Sequence, residues 1–485
     1  MTRYESYAQE IADAIEAGVF RAGDQLPSVR EACLHRGVSP TTVFKAYYLL
    51  EAQGLIRAVP RSGYYVSAGV PQRPFPEPEP SRPVAADKRV DVSDLLYDML
   101  TMLRRRCVVP LGSAFPDPAL FPLERMRTAL VSSLRRFDPW STINDLPPGN
   151  QALKRQILKR YLIHGSVVAD TEIVLTNGAL PALHLCLEAV TQWGDSVVVE
   201  SPCFYITMQA LQRLGLKAIE VATDPREGID LSRLAEVLER KKPAACWLMT
   251  NYQNPLGSLM PHDKKRDLVA LLARHEIPLI EDDVYLELYQ GEKAPLSAKN
   301  FDKKGLVLHC CSFSKTLAPG YRVGWAAAGR FAGKLERLKL MTFLQGSIPA
   351  QGAIATYLQD GGYDAHLRRL RQALAAQQTA VFAAVHRYFP SETRLSRPPG
   401  GYFAWLELPR KVDAMRLYHA AFAAGVSLAP GVMFSPRPQQ YSHCIRINTG
   451  QQWTPSIDKG LATLGRLVAE HGAASQDGRL VRANT

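Results

Sequence analysis

Lys315 lies in Ser312-Phe313-Ser314-Lys315, directly after the apolar run Leu306–Cys310. A lone lysine is nearly always a solvated charge, but a lysine is also the residue that forms a Schiff base with a carbonyl. Other groups recur at the same kind of position. Thr176-Asn177-Gly178-Ala179-Leu180 closes one apolar run and opens a helical stretch, so its free amides can take a phosphate. Phe204 follows Glu200-Ser201-Pro202 and can lie flat on a ring. Asn254 sits in Asn251-Tyr252-Gln253-Asn254-Pro255-Leu256-Gly257. Asp282 ends another apolar run with Tyr285 three residues on, and Arg322 stands seven residues beyond Lys315. Arg446, in Cys444-Ile445-Arg446-Ile447-Asn448, offers a guanidinium fork suited to a carboxylate. Each signal alone is weak. In this order they meet the demands of pyridoxal phosphate: a lysine, an anion nest, a carboxylate for the ring nitrogen, an aromatic plate and donors to the phenolic oxygen.

The elements that must hold these groups follow from periodicity. From about residue 110, Ile173–Thr176, Val197–Glu200, Ala218–Val221, Cys246–Met249, Pro278–Glu281, Leu306–Cys310 and Val323–Ala327 are short apolar runs separated by helical stretches. The alternation predicts a large, mostly parallel α/β sheet, and such sheets place ligands at strand carboxyl ends. Residues from roughly 365 to 470, with strands expected at Gly401–Leu408 and Cys444–Asn448, read as a smaller α+β lobe. An amphipathic helix is expected over 93–106, which opens a unit running to 485. Ahead of it, Pro71, Pro74, Pro76, Pro78, Pro80 and Pro83 predict an extended, semi-rigid spacer over 68–92.

Residues 1–67 read as a winged helix-turn-helix. Tyr4, Ala8, Ile11, Ala12 and Ile15 form one helical stripe ended by Gly18. Pro27-Ser28 opens a second helix stopped by Gly37; Ser39 caps a third, with Val43, Ala46, Tyr47 and Leu50 inward and Gly54 at its end. Leu55-Ile56-Arg57 and Tyr64-Tyr65-Val66 flank Pro60-Arg61-Ser62-Gly63 as a hairpin. In such a module the third helix enters the major groove of double-stranded DNA. Its outward residues are Thr41, Thr42, Lys45 and Tyr48, while Arg30 and Arg61 can reach phosphate or a groove edge. The net charge of +12 does not support this reading. Residues 1–66 hold seven Lys or Arg against seven Asp or Glu, so the basic excess lies elsewhere.

Eight cysteines are scattered without a C-x-x-C, which predicts reduced thiols and no metal site. The first residues carry Glu5, Glu10 and Asp13 on a helical pattern rather than a basic, apolar leader, and no apolar run is long enough to span a bilayer. A cytoplasmic protein with no membrane contact is expected.

Gly23-Asp24-Gln25-Leu26-Pro27-Ser28-Val29-Arg30-Glu31, Val38-Ser39-x-Thr41-Thr42-Val43-x-x-Ala46-Tyr47-x-x-Leu50-Glu51-x-x-Gly54-Leu55-Ile56 and Ser62-Gly63-Tyr64-x-Val66 resemble the GntR family of winged-helix regulators. By that resemblance Arg30, Ser39, Thr41, Thr42, Lys45 and Gly63 occupy DNA-contacting positions. Pro40 stands where the family often has Arg, so base preference does not carry over. Residues from about 110 to 470 resemble fold-type-I aminotransferases, and the combination resembles the MocR/GabR-type regulators. The resemblance implies that Lys315 forms the Schiff base, Asp282 pairs with the pyridine nitrogen, Asn254 and Tyr285 bond the phenolic oxygen, and Phe204 stacks. It places Gly178, Ala179, Ser312, Ser314 and Arg322 on the phosphate and Arg446 on a carboxylate, and it implies a head-to-tail homodimer. Two positions bear on retained chemistry. Asn144 stands where many relatives have a tyrosine that reaches the partner's phosphate, whereas the Asp282-to-Tyr285 spacing is that of working aminotransferases. The function implied is a transcriptional regulator that senses an amine, an amino acid or pyridoxal phosphate. The alternatives are an active aminotransferase with a DNA head, and a DNA-binding protein with a degenerate scaffold.

Overall fold

The computed structural model describes residues 3–16, 19–20, 23–52, 55–59, 62–67, 75–83, 97, 108–137, 139–143, 146 and 149–480. Gly18, Gly54, Arg61 and Asn144 lie outside these, as does the helix expected over 93–106 apart from Tyr97, which is helical.

The head has α1 (Arg3–Glu16), α2 (Val29–Arg36), α3 (Pro40–Ala52) and an antiparallel hairpin of β1 (Ile56–Val59) and β2 (Gly63–Val66). Local chemistry sets its boundaries. The Ser28 hydroxyl accepts from the Glu31 amide at 3.2 Å while the Glu31 carboxylate accepts from the Ser28 amide at 2.8 Å, a reciprocal cap for α2. Gly37 then ends α2 at φ 63°, a left-handed position that favours glycine. Ala8, Ile11 and Ile15 of the first stripe pack on Val43, Ala46, Tyr47 and Leu50; Tyr7, outside that stripe, is buried with them, while Tyr4 and Ala12 are only partly buried.

The large domain is built on eight strands: β3 (Ile173–Thr176), β4 (Ser196–Ser201), β5 (Lys217–Asp224), β6 (Gly228–Ile229), β7 (Ala245–Leu248), β8 (Leu279–Asp282), β9 (Val307–Ser312) and β10 (Gly324–Ala327). Their order is β3-β10-β9-β8-β7-β4-β5-β6. The five strands β9, β8, β7, β4 and β5 are parallel, as alternation predicts. Two strands run the other way: β10 lies antiparallel between β3 and β9, and the short β6 pairs antiparallel with β5. Periodicity gives a strand's existence but not its direction. Around the sheet pack α4 (Leu123–Leu134), α5 (Gln151–Ile163), α6 (Ala179–Val190), α7 (Tyr205–Arg213), α8 (Leu231–Lys241), α9 (His262–Arg274), α10 (Ala332–Thr342) and α11 (Ile348–Gln359). The long α12 (Gly362–Tyr388) leads into the small lobe, with β11 (Arg394–Leu395), β12 (Phe403–Glu407), α13 (Ala414–Ala423), β13 (Ala429–Pro430), β14 (Cys444–Asn448) and α14 (Pro455–Leu480). Its sheet, β11-β12-β14-β13, is antiparallel. Among the described residues no helix is long and apolar enough to cross a membrane.

Over 75–83 the Pro-rich segment is neither helix nor strand, and it is docked rather than free. Phe75 is 8 % exposed and stacks on His386 at 4.3 Å. The Pro76 carbonyl accepts from the Leu395 amide at the β11 edge, and the Glu79 carboxylate pairs with Arg394 at 2.9 Å. On the large domain, the Glu77 carboxylate pairs with Arg226, and Ser81 exchanges two hydrogen bonds with the Thr223 backbone. The strap therefore holds both lobes. Phe75→Ala is expected to weaken its docking by about 3 kcal/mol, the lower end for truncating a buried Phe. Faster proteolysis between residues 67 and 92, with the rest of the chain intact, would report it.

Candidate functional site

Asp282, Asn254, Tyr285, Phe204, Ala179, Ser312, Ser314, Lys315 and Arg322 all line one cavity of about 230 Å³ at the carboxyl ends of the parallel strands. Sequence order thus becomes spatial convergence, because parallel strands deliver their ends to one edge of the sheet.

Lys315 follows β9. Its Nζ donates to the Ala114 carbonyl at 2.8 Å and stands 3.9 Å from the centre of the Phe115 ring. Burial pushes its amine down to about 7, helped by the Arg446 and Arg322 charges and opposed by Asp282. Such an amine is largely uncharged just above neutrality, which is the nucleophilic form. Asp282 ends β8. Burial and then the neighbouring Asp283 carboxylate push its carboxyl up to about 7, against the pull of Lys315. Its Oδ1 is buried with no hydrogen-bond partner in the protein. An orphaned buried carboxylate oxygen is destabilising unless a donor arrives, and a pyridinium N–H is such a donor. Behind it, Asp283 is fixed by His309 Nε2 at 3.0 Å and by the Asn251 amide, and His309 is held in turn by the Tyr161 hydroxyl at 2.6 Å.

A cradle faces the amino end of α6. Gly178 takes φ 96° there, a conformation that favours glycine, and a Cβ on it would lie 2.4 Å from Arg322 Nη2. Arg322 donates to the Ser314 hydroxyl at 3.1 Å and to the Asn177 carbonyl at 3.3 Å. No side chain caps α6, which leaves its first amides for an anion. Gly324 on β10 backs the cradle so closely that a Cβ would meet the Gly178 carbonyl carbon at 2.5 Å. The antiparallel strand that periodicity misdirects therefore has a positional role.

Arg446 is 1 % exposed and does not line the cavity. It donates to Asn254 Oδ1 at 3.1 Å and to the Gly112 carbonyl at 2.8 Å, with Phe403 under its guanidinium at 4.2 Å. The 112–115 loop that it touches is missing from the sequence reading. Asn448 and Gln451 hold the Phe115 carbonyl, and Tyr402 joins Lys315 on the Ala114 carbonyl. Gly112-Ser113 before Pro116 signals a turn at most; its partners lie about 200 to 330 residues away.

In the head, Arg30, Ser39, Thr41, Lys45 and Gly63 are exposed and Thr42 is half-buried. Ser39 caps α3 through the Thr42 amide at 3.2 Å and meets the Thr42 hydroxyl at 2.9 Å. Lys45 Nζ stands 5.6 Å from the centre of the Tyr4 ring. Gly63 has φ 114°, beyond the reach of most side-chain-bearing residues.

Residues 119–455 match the family model for aminotransferase class I and II, and residues 3–66 match that for bacterial regulatory proteins of the gntR family. The chain is 47% identical over 470 residues to the HTH-type transcriptional regulator YdcR of Escherichia coli (strain K12), covering 97% of this chain and 100% of that one. It is 38% identical to YjiR of the same organism, covering 96% and 99%. The crystal structure of LysN, an alpha-aminoadipate aminotransferase from Thermus thermophilus complexed with N-(5'-phosphopyridoxyl)-L-leucine, matches with TM-score 0.73 at 28% identity, over 80% of this chain and 97% of that one. The aminotransferase fold implies pyridoxal phosphate as cofactor, and the orphaned Asp282 oxygen, the cradle at Gly178 and the buried lysine lowered to about 7 fit it. The chain belongs to the MocR type of GntR-family HTH transcriptional regulators, in which a DNA-binding winged helix-turn-helix is fused to a fold-type-I aminotransferase domain.

Proposed function

We propose that this regulator senses an amine or amino acid through Lys315 and passes the signal to its DNA head through the docked strap. The observation that carries the reading is the pairing of Lys315 and Asp282 in one cavity, a buried amine and a buried carboxyl both shifted to about 7. When bound, pyridoxal phosphate supplies an aldehyde for reversible capture of amines and a ring that withdraws electrons from the captured carbon. Lys315 anchors it, Asp282 takes the ring nitrogen, Asn254 and Tyr285 take the phenolic oxygen, and Phe204 covers the ring. Gly178, Ala179, Ser312, Ser314 and Arg322 hold the phosphate. Arg446 receives an effector carboxylate once the 112–115 loop yields its carbonyl contacts.

The division of labour follows the chain: residues 1–67 read DNA, 68–92 couple, and 93–485 sense. A ligand shifts an equilibrium only by its differential affinity for the two states. A strap fixed to both lobes makes lobe position felt at the head. A head-to-tail homodimer is supported by the exposed apolar residues Leu123, Val131 and Leu134 on α4, with Trp140 and Ile143 beyond it. A second reading, retained transamination, is favoured by the uncharged Lys315 amine, which could move a proton at an amino-acid α-carbon.

The test is a visible-absorbance titration of cofactor-supplemented protein with amino acids, D-alanine, β-alanine and γ-aminobutyrate, each paired with promoter-DNA affinity. A compound that shifts both supports sensing. Net formation of a keto acid from the donor supports transamination. Protein that develops no bound-cofactor band overturns both. The pH profile adds a check. Deprotonation creates the reactive amine, so the rate of cofactor capture is expected to rise with pH through about 7 and level off above it. A rate still climbing near pH 10 would mean an ordinary solvated lysine.

A further inference from the structure

We infer that Phe44 on α3 reads the 5-methyl group of a pyrimidine, thymine in unmodified DNA, in each operator half-site. The inference rests on the DNA-reading assignment of the head. The inner face of α3 is Val43, Ala46, Tyr47 and Leu50, each 0% exposed. The opposite face carries Thr41, Phe44, Lys45 and Tyr48. Phe44 is 40% and Tyr48 58% exposed, and their rings stack with centroids 6.1 Å apart at 23°. Sequence periodicity brings out the hydroxyls and Lys45 on this face, but not the phenylalanine between them.

The chemistry of the groove selects the occupant. In the major groove the thymine methyl is the one apolar group that an unmodified base presents; the other positions offer nitrogen or oxygen donors and acceptors. Phe44 can neither donate nor accept, so opposite any other base it would desolvate a polar edge without replacing its hydrogen bond. The Tyr48 ring lies alongside and widens the apolar surface. The rest of the face leaves room for such a contact. Pro40 has no side-chain donor, and the Thr42 hydroxyl is paired with Ser39. With seven basic and seven acidic residues in 1–66, long-range attraction to phosphate contributes little, so close contacts must carry selectivity.

The experiment uses the full chain. Duplexes are selected from a random library, and each thymine of a selected duplex is replaced in turn by deoxyuridine, which removes only the methyl. At one position per half-site the replacement is expected to weaken binding about fourfold, and about sixteenfold when both half-sites are changed, the effect of burying one methyl-sized group. Phe44→Ala is expected to abolish the difference between thymine and uracil, whereas Lys45→Ala weakens both duplexes alike. Because Phe44 lies outside the core of the head, its variants should keep the native thermal midpoint, and Phe44→Leu should retain part of the discrimination. Uracil duplexes that bind as tightly as thymine duplexes overturn the inference alone. So does discrimination that survives in Phe44→Ala, or a Phe44→Ala effect confined to the sedimentation of the free protein. A selection that enriches no duplex overturns the DNA reading beneath it, and the inference with it.

Discussion

Lys315→Ala is expected to abolish both the bound-cofactor absorbance after dialysis and the response of a reporter to effector. The amine is the group at the cavity able to make a reversible covalent link near neutrality, because burial and the Arg446 charge lower it to about 7. The cradle of Gly178, Ser314 and Arg322 survives the substitution. Phosphate-directed binding should therefore persist in excess cofactor and wash out on dialysis. That difference separates loss of the anchor from loss of the fold, which a thermal melt would report independently. A Lys315→Ala regulator that keeps its full effector response would end the sensing proposal.

Asp282→Ala should produce opposite effects with and without cofactor. With cofactor, removing one member of a buried charge pair costs about 2–5 kcal/mol, or roughly 30- to 5,000-fold in affinity. Equilibrium titration monitored by absorbance would measure it. Without cofactor the substitution should stabilise the chain at pH 8. The sign follows from the raised carboxyl: with a folded value of about 7 against an ordinary 3.8, the folded state binds the proton more tightly than the unfolded state between those limits. Stability therefore falls as pH rises through that window, and above about 7 the ionised, buried group, one of its oxygens without a hydrogen bond, carries the full penalty. Alanine removes it, and the advantage should shrink as pH falls below 7. Urea denaturation of the cofactor-free proteins at pH 5 and pH 8 would show this crossover. A site that destabilises its own chain until a ligand arrives is arranged for binding rather than for packing.

The local devices of this protein are legible in its sequence because they act within a few residues. The Ser28–Glu31 cap, the Gly37 stop, the stripes of α1 and α3, and the strand ends that carry Gly178, Asn254, Asp282 and Lys315 all depend on near neighbours. The order of those strand ends even foretells one site, since parallel strands separated by helices bring their carboxyl ends to one edge. Strand direction is another matter: β10 is an apolar run like the others, yet it enters antiparallel and presses Gly324 against the cradle. The proline run excludes helix and sheet over 75–83, but the docking of this segment depends on His386, Leu395 and Thr223, far along the chain. The reach of Arg446 to the 112–115 loop and the shifts of Lys315 and Asp282 are of the same kind. Sequence by itself determined which elements the candidate residues ride on, because caps and periodicity are local. Tertiary structure alone decided which of them meet and what charge they hold, because desolvation and long-range contact come from residues that only packing brings together.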